Sequence, residues 1–246
     1  MIKTVTSRKN EIVLKTLDLR KNKIQFEEEK FIIEGEHLLD MALKTKNVLY
    51  ILTTKHLNFV DEKINQYIVT KDILEKISTS KSAPNVIAVC SFVKNKLINS
   101  KNLVYLDRVQ DPGNLGTILR TCLAFCYFNI LISEDSANIY NDKLIQSSQG
   151  AIFDLNIERI SPNDIIKYKN LGYKIVATSL EKDAINLSNF LNNDNEKYLI
   201  IFGNEGNGVR KEILELADYR IFIEMKNIDS LNVGVAAGIV LYNFKN

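Results

Sequence analysis

Five polar side chains stand where simple turns do not require them. Asn114 and Arg120 lie in DPGNLGTILRT (111–121), Glu205 in IFGNEGNGV (201–209), and Ser230 and Asn232 in IDSLNVGVAAGI (228–239). Each segment sets small or turn-forming residues between a predicted strand and a predicted helix. Loops at the ends of buried strands are where an open α/β sheet keeps its ligand. In the first segment Asp111-Pro112-Gly113 is turn chemistry, and Asn114 is suited to cap the following helix. Arg120 gains nothing from the positive end of a helix dipole, so it reads either as a solvated surface arginine or as a cation held for a phosphate. In the second, Gly203, Gly206 and Gly208 follow a GxxGxG spacing, which is neither a dinucleotide fingerprint nor a phosphate-binding P-loop. Glu205 among them reads as helix-start electrostatics or as a ligand contact. In the third, Ser230 and Asn232 can cap a helix, and one cap would suffice. Gly234 and Gly238 inside that helix need a reason, such as close approach of another backbone from a sheet, a knot or a second subunit.

These loops need a sheet to hold them. Strands are predicted at 103–107, 128–132, 174–180, 198–202 and 220–224, with a further short one within 150–157. Helical patterns lie at about 115–126, 141–148, 163–171, 207–217 and 231–244. Strands alternating with helices of this length imply βαβ units and a parallel sheet. Upstream, a short strand followed by a helical pattern within 31–45, a strand at 48–54, a strand turning into a helix over 67–78 and a strand at 85–93 form a smaller β-α-β arrangement. The first thirty residues read as an amphipathic helix whose Arg8, Lys9, Lys15, Arg20, Lys21 and Lys23 form a solvated face, with an RNA-touching patch as the alternative. The chain therefore divides into residues 1–95, a polar linker 96–102 and a domain 103–246.

Composition sets outer bounds. The chain has 246 residues, 46% hydrophobic and 25% charged, which is globular rather than disordered. A net charge of +2 means that any nucleic-acid contact must come from local patches. No apolar run reaches the length of a membrane span, and the start lacks a signal-peptide core, so a cytoplasmic protein is expected. Cys90, Cys122 and Cys126 are odd in number and suit no disulfide framework. Cys122 and Cys126 are one helical turn apart but have no further cysteine or histidine cluster nearby, so buried thiols are favoured and no metal is expected.

At the three polar segments the chain resembles the SpoU (TrmH-type) branch of the SPOUT RNA methyltransferases, whose three motifs correspond to them in order. The resemblance covers roughly residues 103–244, and residues 1–93 are similar to the substrate-binding domain often fused ahead of it. It implies a trefoil-knotted, mostly parallel α/β domain preceded by a small α/β RNA-binding domain. It further implies a homodimer, S-adenosylmethionine as methyl donor and a 2′-O-methyl ribose as product, in ribosomal RNA ahead of transfer RNA. DNA and membrane partners are not expected. By the resemblance Asn114, Arg120, Glu205, Ser230 and Asn232 match the catalytic positions, with Arg120 holding an RNA phosphate and polarising the hydroxyl. Thr178, Gly203, Ile223, Met225, Leu231 and Asn232 match the cofactor contacts. Two positions depart from the family pattern: Glu224 stands where proline is common, and Cys126 where the helix often ends in glycine. Two rivals remain: a catalytically silent RNA-binding protein of the same fold, and a nicotinamide oxidoreductase, which the missing GxGxxG opposes.

Overall fold

The structure, a computed structural model, describes residues 1–80, 82, 84–94 and 100–244. They form two compact units, Met1–Lys94 and Asn95–Asn246. Of the expected linker, residues 96–99 lie outside the described residues. Asn102 is buried in the second unit, where its Oδ1 accepts the Tyr198 N–H at 2.9 Å.

The first unit runs β1 (Ile2–Val5), α1 (Glu11–Asp18), α2 (Asn22–Glu28), β2 (Lys30–Glu34), α3 (Glu36–Lys44), β3 (Val48–Thr53), β4 (Asn65–Val69), α4 (Lys71–Ile77) and β5 (Val86–Ser91). Its five-stranded sheet has the order β1-β4-β3-β5-β2, parallel through the first three and antiparallel through the last three. Val13, Ile32, Leu52, Ile73, Ile87 and Val89 pack the core. The expected single N-terminal helix is instead a strand and two helices, because Ile2–Val5 pairs in register with Gln66–Val69. The basic face is largely neutralised. Arg8 pairs with Asp72, Lys15 with Glu11, Lys21 with Asp18, Lys23 with Glu27 and Arg20 with Glu34. Of the six cations only Lys9 has no ion pair among the described residues.

Glu34, at the end of β2, is the polar anchor of this unit. Its carboxylate accepts from Arg20, from Ser78 Oγ at 2.6 Å, from the Thr79 N–H at 3.0 Å and from Ser80 Oγ at 2.7 Å. Burial pushes its pKa up, but the bonds from Ser78, Thr79 and Ser80 and the charge of Arg20 outweigh that and hold it below the usual carboxylate value.

The second unit runs β6 (Leu103–Leu106), α5 (Pro112–Ala124), β7 (Asn129–Ser133), α6 (Asp142–Ser148), β8 (Asn156–Ile160), α7 (Ile165–Asn170), β9 (Tyr173–Thr178), β10 (Ile185–Asn186), β11 (Lys197–Phe202), α8 (Lys211–Leu216), β12 (Tyr219–Phe222) and α9 (Val233–Asn243). Its seven-stranded sheet has the order β10-β12-β9-β11-β6-β7-β8, and every pairing is parallel. The central strands read LVYL and KYLIIF and are buried almost throughout, as strands covered on both faces must be. Consecutive strands β6, β7 and β8 step outward to one edge, and the chain then returns to build the other half, placing β11 beside β6. That reversal is the switch point at which open α/β sheets bind ligands. On one face α5 packs against α6 and α9. A Cβ at Gly116 would lie 2.0 Å from Ser147 Oγ and 2.6 Å from the Leu144 carbonyl, so only glycine permits the α5–α6 approach.

Candidate functional site

Side chains from the three segments join in one chain of hydrogen bonds. Asn232 Nδ2 donates to Asn114 Oδ1 at 2.9 Å, and Asn114 Nδ2 donates to Glu205 Oε1 at 3.0 Å. The loops after β12, β6 and β11 are thereby fixed to one another across separations of 118 and 91 residues. Asn232 does two jobs at once, because its Oδ1 also caps α9 by accepting from the Gly234 and Val235 N–H groups at 2.9 and 3.3 Å. Asn114 caps nothing, contrary to the sequence expectation. The cap of α5 is Asp111, whose Oδ1 accepts the Asn114 N–H at 2.8 Å while Oδ2 pairs with Lys143 at 2.6 Å. The helix begins at Pro112, whose fixed φ suits the first helical position. Moving the cap to Asp111 is what frees the Asn114 amide to bridge the other two loops.

The second loop is longer than expected. Helix α8 starts only at Lys211, so residues 203–210 form a self-braced loop. Asn204 Oδ1 accepts the N–H groups of Gly206 and Asn207, both at 3.0 Å, and the backbones of Asn204 and Gly208 bond in both directions at 3.0 and 2.9 Å. A Cβ at Gly203 would fall 2.1 Å from the Gly208 carbonyl carbon and 2.2 Å from the Val209 nitrogen, so a side chain there would break the loop.

Beside it lies a cleft of about 1240 Å³, lined by backbone and side chains of Thr178, Gly203, Ile223, Met225 and Leu231 among others, with Glu205 and Ser230 also on its wall. Asn114, Arg120 and Asn232 are not among its lining residues. Arg120 sits exposed on α5, with neither a hydrogen bond nor an ion pair among the described residues. An exposed guanidinium with no ion pair among the described residues is available to an anion. Of the two departures from the family pattern, Glu224 accepts from Asn186 Nδ2 at 3.1 Å and so ties the chain after β12 to β10. Cys126 takes a left-handed φ of 63° immediately after α5. The N–H of Tyr127 bonds the Cys122 carbonyl and that of Cys126 the Leu123 carbonyl, a Schellman ending with cysteine in the glycine position. Cys90 and Cys122 are buried, and burial pushes both thiols up. Among the described residues no group of three or more His, Cys, Asp or Glu could hold a metal.

Sequence reasoning passed over a cluster at the end of β6. Asp107 is fully buried, and its Oδ2 accepts the Arg210 N–H at 2.9 Å. Arg210 Nε lies 3.2 Å from Oδ1, and an Arg108 guanidinium nitrogen lies 3.4 Å from Oδ2. Burial pushes the Asp107 carboxyl up, and the contacts with Arg210 and Arg108 only partly oppose this. Arg108 has a left-handed φ of 57°, and both Arg108 and Arg210 line the cleft. The available signal was an aspartate closing an otherwise apolar strand two residues after Tyr105, on the same face of the pleat.

The family model for the SpoU rRNA methylases matches residues 101–242, more than half of the chain. The 23S rRNA (guanosine(2553)-2′-O)-methyltransferase of Bacillus subtilis is 30% identical over 99% of this chain and 100% of its own length. The tRNA (guanosine(18)-2′-O)-methyltransferase of Aquifex aeolicus is 36% identical but spans 57% of this chain and 66% of its own. The AdoMet-bound rRNA methyltransferase of Sinorhizobium meliloti superposes with a TM-score of 0.88 at 25% identity, covering 98% of this chain and 97% of that one.

Proposed function

This chain belongs to the SpoU rRNA methylase family, and from that premise we propose that it transfers a methyl group from S-adenosylmethionine to a ribose 2′-hydroxyl of ribosomal RNA. The observation that carries this reading is the hydrogen-bonded series Asn232–Asn114–Glu205, which locks three loops together at the edge of one cleft. Ribosomal rather than transfer RNA is supported by the full-length match to the Bacillus subtilis enzyme, against the partial match to the transfer-RNA enzyme.

The cleft suits the donor. Gly203 and Thr178 line it, and Ile223, Met225 and Leu231 offer an apolar wall. Bound there, S-adenosylmethionine supplies an electrophilic methyl on a sulfonium. The acceptor must then be brought in line, and orientation of this kind contributes ~7–11 kcal/mol in well-arranged reactions. Asn114, Glu205, Ser230 and Asn232 orient the loops and the acceptor. Arg120 holds an RNA phosphate and polarises the hydroxyl. A guanidinium stays protonated, so its contribution is electrostatic and not that of a base.

The same proposal takes residues 1–95 as the RNA-binding domain and 103–246 as the methyltransferase domain, with the trefoil knot and the cytoplasmic setting that the family implies. It includes a homodimer. Val235, Ile239 and Tyr242 on α9 are 52, 41 and 57% exposed, along a shallow groove shared with Thr121 of α5 and Phe125 just after it. Outside its own helix, Gly238 has no neighbour closer than 4.0 Å to its would-be Cβ, which leaves room on this face of α9 for a second copy to approach. A monomer by light scattering would reject that part. The catalytic part is tested by Arg120→Ala. Because the exposed Arg120 side chain forms no hydrogen bond or ion pair among the described residues, the variant should keep the wild-type Tm while turnover on ribosomal RNA falls by about 100-fold or more. Wild-type turnover would reject the assignment. A silent RNA-binding protein, the remaining rival, would show no heat of S-adenosylmethionine binding by calorimetry.

A further inference from the structure

The loop that forms one wall of the cleft, residues 203–210, is held at both ends by two consecutive residues that the reaction itself does not use. At its start Asn204 Nδ2 donates to the Arg108 carbonyl at 3.0 Å. At its end an Arg108 guanidinium nitrogen donates to the Gly208 carbonyl at 3.3 Å, and Asp107 Oδ2 accepts the Arg210 N–H at 2.9 Å. The Asp107 N–H bonds the Phe202 carbonyl at 2.8 Å just before the loop opens.

The clamp is itself fixed from the far side. The Arg108 N–H donates to Ser133 Oγ at 2.8 Å. The stretch 133–137 that carries this serine is gripped by Arg159, which donates to the carbonyls of Ser133, Glu134, Ser136 and Ala137 at 2.8–3.2 Å. Asp135 in that stretch also pairs with Arg210. Residues held on one side by this many bonds do not yield, so the loop takes its position from them.

The clamp is also costly to the fold. Asp107 Oδ1 and Arg108 Nε are buried without a hydrogen-bond partner, and Arg108 occupies a left-handed backbone conformation unusual for its type. Under-satisfied and strained groups of this kind persist where surrounding structure over-determines them, commonly next to functional sites.

We infer that Asp107 and Arg108 are positioning residues that set the 203–210 loop and, through it, affinity for the methyl donor. This rests on reading the cleft as the donor site. It assigns the residues no contact with the reacting atoms. Their effect therefore belongs in donor binding and not in RNA binding.

The test uses the full chain with Asp107→Asn, which keeps shape but loses charge, and Arg108→Met, which keeps the stem but loses the guanidinium. Calorimetry with S-adenosylmethionine should show Kd raised about tenfold in each. The KM for RNA should stay unchanged and Tm should move by no more than a few degrees. A wild-type donor Kd in both variants would overturn the inference, as would equal losses in the KM for donor and for RNA. If Asp107→Asn fails to fold, Arg108→Met decides alone. A wild-type chain that does not bind the donor at all overturns the underlying reading of the cleft, and the inference with it.

Discussion

Glu34 and Asp107 are both carboxylates at the end of a buried strand and both face arginine, yet their surroundings treat them in opposite ways. Glu34 accepts bonds from Arg20, Ser78, Thr79 and Ser80, and its pKa is held down. Asp107 has one oxygen without a hydrogen bond, and its pKa is pushed up. The first pattern is what a stability anchor needs, since a buried charge contributes only when its remaining lone pairs are satisfied. The second is poor as an anchor and suited to holding a loop at a cleft wall, where some stability is given up for position. Two buried acid–arginine clusters in one chain are therefore not equivalent, and the tally of bonds each oxygen receives separates them.

The largest expected effect tests the anchor. Glu34→Ala removes the carboxylate that faces the largely buried Arg20 and takes the bonds from Ser78, Thr79 and Ser80 with it, which should destabilise the first unit by ~3–5 kcal/mol. Hydrogen exchange in α1 and β2 would report it as lost protection. Asp107→Asn in the second unit should move Tm little by comparison. Intact protection in Glu34→Ala would remove the distinction between the two clusters.

Next comes the bridge that neither carboxylate supplies. Asn114→Ala cuts both links, to Glu205 and to Asn232. Turnover should fall by about 10–100-fold, since small misplacements at a reacting centre carry penalties of that size. Stability should change by no more than ~1.5 kcal/mol, as expected for partly exposed hydrogen bonds. Steady-state kinetics beside thermal melts would separate the two. A fall in Tm with turnover preserved would show the bridge to be scaffolding only.

A smaller effect lies in the pH dependence, where the two carboxylates have opposite signs. Glu34 has a lowered folded-state pKa, so its contribution is present above the unfolded value of ~4.3 and is lost as pH falls through the folded value below it. The stability gap between wild type and Glu34→Gln should therefore shrink on acidification below about pH 5. Asp107 has a raised folded-state pKa, so its ionised form weighs against the fold above that value, and the penalty is relieved as pH falls toward ~3.9. Acidification should therefore shift the balance between wild type and Asp107→Asn toward the wild type. Parallel trends in the two variants would contradict the assignment of opposite roles.

Much of this second unit was legible in the chain, and the physical reasons show where legibility stops. The alternation of buried strands and helices, and the three loops with their polar residues, follow from local patterns. The cap of α5 is ambiguous in the sequence because Asp111 and Asn114 both suit the role; Pro112 at the first helical position is the cue for Asp111. Helix α8 starts later than its pattern predicts because Asn207 to Arg210 complete a loop that bonds back on itself. β10 has two residues, too few for any periodicity. The Asp107 cluster joins positions 103 residues apart, so no local pattern could join them. The same holds for the Asn232–Asn114–Glu205 series, whose members each stand out in the sequence while their bonding to one another does not.

Cys126 gives the smallest expected effect and the sharpest control on strain. It shares a left-handed backbone with Arg108, at φ 63° against 57°. Arg108 is pinned from both sides by the Ser133 hydroxyl and the Asn204 amide, and its side chain reaches the cleft loop. Cys126 closes a helix, with an exposed side chain outside the three loops. Left-handed backbone costs a residue with a Cβ roughly 1–2 kcal/mol and glycine almost nothing. Cys126→Gly should therefore stabilise the protein by about 1 kcal/mol and raise Tm by ~2–4 °C, with turnover unchanged. At Arg108 glycine would relieve the same strain, yet it would release Gly208 and weaken donor binding. If Cys126→Gly impaired methylation as much as the change at Arg108, strain would no longer mark the clamp apart from an ordinary helix end.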